Sequence, residues 1–371
     1  MRSHHFLLLS VYLLYGLTGC APPAVSPIDT DSPEHYFRHG IQNLDAGNIE
    51  AAAEAFRLSV DLDGGFARGW AGVGLAQAYL GASDDGEAAV NRAVALAPND
   101  PRVWAMRGRF WVANRGSRSD WLNRAVEDLH QALSLDPDHE RADFYLGEAY
   151  FYGLAFERSA EQFARVAGRG GDLARSAGQR WAVCRQIIEA DPGSEAGRRI
   201  AIKPAITRAE LAVLLVVELG LSQFIEHAAA DTHPAFIPPS KLTSQDVMGH
   251  WAEPWISELL RQGVLVLDPS DNFAPDAVVT RVEWAQANQR ILILVTQDMS
   301  LEVQYFRESP SRFTDVPSSH FAYNAMALSA DRGLIMADAG TGHFRPFDHV
   351  SGVEALLIIR RLQSDLQGDD Y

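Results

Sequence analysis

Thr207-Arg208-Ala209-Glu210 opens an apolar stretch, and Thr280-Arg281-Val282-Glu283 and Ser351-Gly352-Val353-Glu354 repeat the pattern. A threonine or serine followed three residues later by glutamate has the spacing of a capping box. The hydroxyl accepts from the backbone N–H three residues on, and the carboxylate reaches back to the cap. Helix initiation therefore accounts for Thr207, Glu210, Thr280, Glu283, Ser351 and Glu354, and losing one threonine cap should cost about 1 kcal/mol. It does not account for the arginines. Arg208 and Arg281 fall at the first helical position, where the macrodipole is positive and disfavours a cation by roughly 0.3–1 kcal/mol. Free N–H groups beside a guanidinium make an oxyanion site able to take a carboxylate or phosphate in bidentate geometry. The alternative is a solvated arginine paired with a neighbouring glutamate. Gly352 takes the arginine's place in the third copy, so a site there would be weak or purely structural.

No other chemistry rises from the sequence. There is no H-E-x-x-H, no G-x-S-x-G and no phosphate-binding glycine loop. Asp268, Asp271 and Asp276 crowd one loop without calcium-loop spacing, which favours turn chemistry. His227 and His233 flank a polar linker with no third ligand in register, so neither a metal nor a cofactor is expected.

The elements that position these starts repeat as well. His250 to Ile291 and His320 to Leu362 each read as a helix, a glycine turn (Gly263, Gly333), a loop carrying Phe-x-Pro (Phe273-Ala274-Pro275, Phe344-Arg345-Pro346) and a second helix. Asp246-Val247 and Phe313-Thr314-Asp315-Val316 precede them. Trp181 precedes Thr207 by 26 residues, against 29 from Trp251 to Thr280 and 30 from Phe321 to Ser351, which aligns a degenerate first copy upstream. Asp246 and Asp315 are expected to cap the helices that follow them.

This grammar of F-x-D-V, H-W-A, F-x-P and T-R-A-E resembles the S-layer homology domain, over residues 175–366. The resemblance implies a pseudo-threefold helical spindle that anchors proteins to cell-wall polymers. It also implies that Arg208, Arg281 and Trp251 contact an anionic glycan, although core packing is the alternative for Trp251. Phe321 in the tryptophan's place implies, with Gly352, a diverged third groove.

The first half repeats with a different period. Gly40, Gly74 and Gly108 are 34 residues apart and Gly147 follows after 39, an interval that an insertion near Gly116 would explain. Tyr36, Trp70 and Trp104 keep the same phase, and Pro98 and Pro137 fall just past helix ends, where proline belongs. The pattern resembles the tetratricopeptide repeat, with about four units over residues 34–170. Trp70, Trp104, Trp111 and Tyr150 are expected to pack between helices. The resemblance implies a concave surface that binds a protein partner.

The chain of 371 residues carries a formal charge of −16, which disfavours nucleic acid because no basic stripe could neutralise phosphates. Residues 1–19 have the parts of a secretory signal, and their apolar run is too short for a typical membrane span. Leu17-Thr18-Gly19-Cys20 resembles the lipobox of bacterial lipoproteins, which implies lipid on Cys20 and, with Ala21 after it, outer-membrane sorting. Residues 20–33 would form an extended tether, and residues 367–371 a polar tail. Only Cys184 then remains, so no disulfide is expected within the mature chain.

The expectation is an all-α, non-enzymatic envelope lipoprotein facing the periplasm, in which the spindle binds wall glycan or peptidoglycan and the array binds a protein. One alternative is an adaptor in an outer-membrane assembly or secretion complex whose spindle has lost glycan binding. Another is a wall hydrolase or its activator, for which the sequence offers no carboxylate pair of recognisable spacing.

Overall fold

The computed structural model describes residues 31–231 and 244–368. Cys20 with its signal segment, the start of the tether, His233 and the last three residues lie outside the described residues. The described chain is helical, with no strand among its residues and only two isolated bridges, Thr207 with Val278 and Thr280 with His349. No described helix is long and apolar enough to cross a membrane.

Four hairpins come first: α1 (Pro33–Asp45) with α2 (Ile49–Leu62), α3 (Ala67–Tyr79) with α4 (Ser83–Leu96), α5 (Pro101–Ala113) with α6 (Trp121–Leu135), and α7 (Glu140–Tyr152) with α8 (Phe156–Arg169). Their starts follow from local chemistry. Ser32 and Asp100 accept from the N–H groups of His35 and Arg102, and Pro33 and Pro101 occupy first-turn positions that need no donor. The periodic glycines are close-approach points. A Cβ at Gly40, Gly108 or Gly147 would lie 2.5, 2.5 and 2.8 Å from Phe56, Leu129 and Phe163 of the second helix. At Gly74 the second helix comes closer still, and its Cβ would stand 2.5 Å from the Gly86 carbonyl, which explains why glycine replaces a larger residue at 86.

The long α9 (Ala174–Ala190) packs on α8 as the next member of the array and also begins the second half. After it come α10 (Glu195–Ala201), α11 (Arg208–Val213) extended by a π-helical turn (Leu214–Glu218), and α12 (Leu221–Asp231). Two helical pairs complete the chain: α13 (Glu253–Arg261) with α14 (Arg281–Thr296), and α15 (Tyr323–Asp331) with α16 (Gly352–Gln367).

One apolar cluster runs from Phe37 to Ala149, and a second runs from Phe151 through Cys184 and Ile187 to Leu362. The second cluster joins α8 and α9 to everything that follows. Arg360 of α16 ties the same junction, donating from Nε to Ala190 O at 2.6 Å and pairing with the buried Glu218 at 3.1 Å. Glu218 in turn accepts from the N–H groups of Gly193 and Ser194 at 2.7 and 3.1 Å.

Candidate functional site: three grooves around a closed ring

The three residues that precede the repeated helix starts bond to one another in a cycle. Ile206 N–H donates to Val350 O at 2.9 Å, Val350 N–H to Val279 O at 3.0 Å, and Val279 N–H to Ile206 O at 2.9 Å. This triangle of buried residues is the pseudo-threefold axis, and the helices α11, α14 and α16 radiate from it.

At α11 the Thr207 hydroxyl accepts from Glu210 N–H at 3.2 Å, and Glu210 accepts from Thr207 N–H at 2.9 Å. At α14 the Thr280 N–H and hydroxyl both donate to Glu283, at 2.8 and 2.7 Å. At α16 the Ser351 hydroxyl accepts from Glu354 N–H at 3.2 Å.

The arginines turn away from their own helices. Arg208 donates from Nε to Phe273 O at 2.7 Å and from Nη2 to Val266 O at 2.8 Å, and it pairs through Nη1 with Glu283 at 3.1 Å. Arg281 makes the equivalent set one unit on, to Phe344 O at 2.8 Å, Met336 O at 2.7 Å and Glu354. Each arginine therefore holds the next unit's Phe-x-Pro loop and that unit's capping glutamate. It is neither solvated nor paired within its own turn. The cycle closes differently, because Lys203 meets Glu210 at 3.4 Å where an arginine would stand.

Gly352 shows why. A Cβ there would lie 1.8 Å from Ile200 O, the carbonyl that occupies the place of Phe273 and Phe344 in the first unit. The first unit has α10 instead of a Phe-x-Pro loop, and α10 abuts the start of α16 too closely for any side chain.

Asp246 and Asp315 do not cap the helices that follow them. Asp246 accepts from Phe273 N–H at 3.1 Å and Ala274 N–H at 2.6 Å. Asp315 accepts from Phe344 and Arg345 N–H, both at 2.8 Å. Ala274 and Arg345 have φ of 54° and 57°, a left-handed conformation that turns successive N–H groups toward one carboxylate. Desolvation raises both carboxyls, but these bonds, joined at Asp246 by one from the Ser244 hydroxyl that counts more than either N–H, outweigh it and hold each below the usual range. The sequence-based expectation failed here because the loops lie 27 to 30 residues away from the aspartates.

Grooves lie between neighbouring units. The first, about 270 Å³, is lined by Arg208, Phe273, Glu283, Gln286 and Arg290. The second, about 260 Å³, holds Arg281, Asp338, His343, Arg345 and Glu354. The third, about 450 Å³, holds Arg199, Lys203, Glu210 and Trp251. Trp251 is 57% exposed and Phe321 81% exposed, so neither is a core residue. Their rings contact His250 and His320 at centroid distances of 5.5 and 4.6 Å.

Arg290 is the residue that the motif does not advertise. It is half-buried in the first groove, its Nη1 lies 3.4 Å from Val264 O, and it has no carboxylate partner among the described residues. Burial first, and Arg208 second, push its pKa down, as happens to a cation held beside another cation without an anion. Arg361 makes the same carbonyl contact in the next unit, with Nη1 3.3 Å from Leu334 O, but it is exposed and near Glu354. Both lie nine residues after the helix-start position, and both contact the residue after the glycine turn. That register was available in the sequence. No group of His, Cys, Asp and Glu among the described residues could hold a metal ion.

The site is thus a ring of helical units with grooves between neighbours that carry cationic and aromatic side chains. Residues 246–283 and 312–356 match the family model of the S-layer homology domain. These segments begin at Asp246 and Arg312 and include the second and third helix starts, while the first unit lies outside the match. Modules of this family bind cell-wall polymers such as peptidoglycan-associated glycans, which places the chain in association with the cell envelope. Comparison with curated proteins gave no match.

Proposed function

We propose that the protein is a non-enzymatic tether of the cell envelope. In this reading the ring grips an anionic wall polymer, Cys20 carries lipid in the outer membrane facing the periplasm, and the array, as a tetratricopeptide array, docks a protein partner. The observation that carries the wall contact is Arg290, a half-buried guanidinium with no carboxylate partner among the described residues, facing a groove on the helix that starts within the matched segment 246–283. An anion entering there would relieve the repulsion between Arg208 and Arg290. Arg208 and Arg281 line the grooves and retain two of their five N–H donors, so they shape the walls and add secondary contacts. Exposed Trp251 offers a face to sugar rings.

The adaptor reading keeps one observation in its favour, since the helix-start arginines already bond within the chain. The deciding experiment is co-sedimentation of residues 21–371 with purified wall sacculi across a salt series, beside Arg290→Ala. Binding that weakens with salt and falls about tenfold in the variant, the loss of one charge-assisted contact of about 1.4 kcal/mol, supports the tether. Folded wild-type protein that stays in the supernatant overturns it and leaves the adaptor.

A further inference from the structure

The first helices of the hairpins line a concave cavity of about 520 Å³, bounded by Phe37, Arg38 and Ile41 of α1, Arg102 and Met106 of α5, and Arg109, Arg141 and Tyr145 beside them. Four arginines in one groove are unexpected in a chain of net charge −16. Other arginines of the array are tightly paired, as where Arg107 grips Asp128 through two bonds of 2.8 and 2.7 Å and Arg169 meets Asp143 at 2.6 Å.

The groove is different. The Arg109 side chain is 13% exposed and donates to the Tyr145 hydroxyl at 2.8 Å, yet its nearest carboxylate, Asp45, lies 3.4 Å away. Arg141 reaches the same carboxylate at 3.3 Å. Two guanidiniums thus share one loosely held, 42% exposed aspartate. Arg38 and Arg102 have no side-chain hydrogen bond or ion pair among the described residues. The acids on the rim are engaged elsewhere. Asp136 accepts from Asp138 N–H at 3.2 Å, Asp138 lies 3.6 Å from Arg169, and Glu140 accepts from Leu173 N–H at 3.1 Å.

We infer that this concave face binds an extended acidic polypeptide segment, whose carboxylates meet Arg38, Arg102, Arg109 and Arg141 while its apolar side chains fill the space among Phe37, Ile41 and Met106. The inference rests on the array being a partner-binding surface, and it names that partner's chemistry. Interleaved apolar and cationic side chains fit a peptide that carries both characters. In the free protein Asp45 stands where a ligand carboxylate will sit, at 3.3–3.4 Å, longer than the 2.6–2.8 Å contacts of Arg107 and Arg169.

The test uses residues 21–371 and fluorescein-labelled peptides of about ten residues, spanning roughly 33–36 Å when extended, in which leucine alternates with glutamate, glutamine or lysine. Fluorescence polarisation should show salt-sensitive binding of the glutamate peptide alone. An Arg38→Ala/Arg102→Ala variant, which breaks no side-chain hydrogen bond or ion pair among the described residues, should weaken it at least about tenfold, the loss of two charge contacts, while sedimentation with wall sacculi stays unchanged. Asp45→Asn should tighten binding several-fold, and weakening there would overturn the stand-in role of Asp45. Equal binding of the glutamine peptide, abolished by the groove-filling Ala105→Trp, would keep the groove as a peptide site and overturn its acidic assignment. Binding of none of the three peptides to folded protein would overturn both.

Discussion

Arginine serves opposite ends in the two halves of the molecule. In the ring, Arg208 and Arg281 each bond two carbonyls and one carboxylate of the following unit, and they act as the clasps of a closed structure. On the concave face of the array, the side chains of Arg38 and Arg102 make no hydrogen bond or ion pair among the described residues, and Arg109 and Arg141 share one aspartate at 3.4 and 3.3 Å. A cation near a groove therefore says little about ligands until its donors are followed to their acceptors. In the ring, that exercise shifts attention from the helix-start arginines to Arg290 and Arg361.

One glycine from each half gives the largest expected contrast, between a site closed by backbone, as Gly74 also is, and one closed by a side chain. A Cβ at Gly352 would meet backbone, 1.8 Å from Ile200 O, whereas one at Gly108 would meet the Leu129 side chain at 2.5 Å. A side-chain terminus can move aside and two packed backbones cannot. Gly352→Ala should lose about 3 kcal/mol, the upper end for overpacking, and Gly108→Ala about 1–2 kcal/mol. Urea unfolding of the two variants measures this difference. Equal losses would mean that the ring yields as readily as the array.

Next in size is the contrast between bonded and unbonded arginines. Arg281→Ala leaves Phe344 O, Met336 O and the Glu354 carboxylate without a donor, and hydrogen bonds to charged groups contribute about 1.5–3 kcal/mol. Partial exposure of Glu354 lets water compensate for some of this, so about 2 kcal/mol is expected. Arg102→Ala should change stability by less than about 0.5 kcal/mol, as surface substitutions do. Thermal unfolding of both proteins breaks the comparison if Arg102→Ala proves as costly as Arg281→Ala.

What the sequence made legible is what local rules dictate. The glycine period exposed the hairpins because each periodic glycine faces the next helix at short range. The threonine–glutamate spacing exposed three helix starts because a capping box closes within one turn. The partners of Arg208 lie 58 to 75 residues away in sequence, and no local rule reaches that far. The same holds for Gly352, whose reason is the carbonyl of Ile200. Two misses were avoidable. Arg290 and Arg361 share one register with the helix starts, and Arg68, Arg102 and Arg141 recur at intervals of 34 and 39 residues, in phase with the glycines. A charged residue that keeps the phase of a repeat marks one face of the array, a signal that apolar periodicity alone does not carry.

The smallest effect concerns the carboxylates that fasten the ring's loops through pairs of successive N–H groups, where Glu140 in the array accepts from the single N–H of Leu173. Desolvation raises both carboxyls, but Asp246 is held below the usual range by the Ser244 hydroxyl and the loop N–H groups of Ala274 and Phe273, and Asp315 by the N–H groups of Phe344 and Arg345. A depressed folded-state pKa means that the contribution is complete above the unfolded value of about 3.9. It is lost as pH falls through the folded value, where both states become protonated. Wild-type protein should therefore be more stable than Asp246→Asn/Asp315→Asn near neutrality, and the gap should close in acid. The effect should be small because both carboxylates sit near the surface, where water competes for them. Urea midpoints of the two proteins across an acidic pH series test the sign directly. A gap that persists unchanged into strong acid would show that the loops are held by the shape of the turn, leaving ion pairs such as Arg208–Glu283 and Lys203–Glu210 as the charged contacts that close the ring.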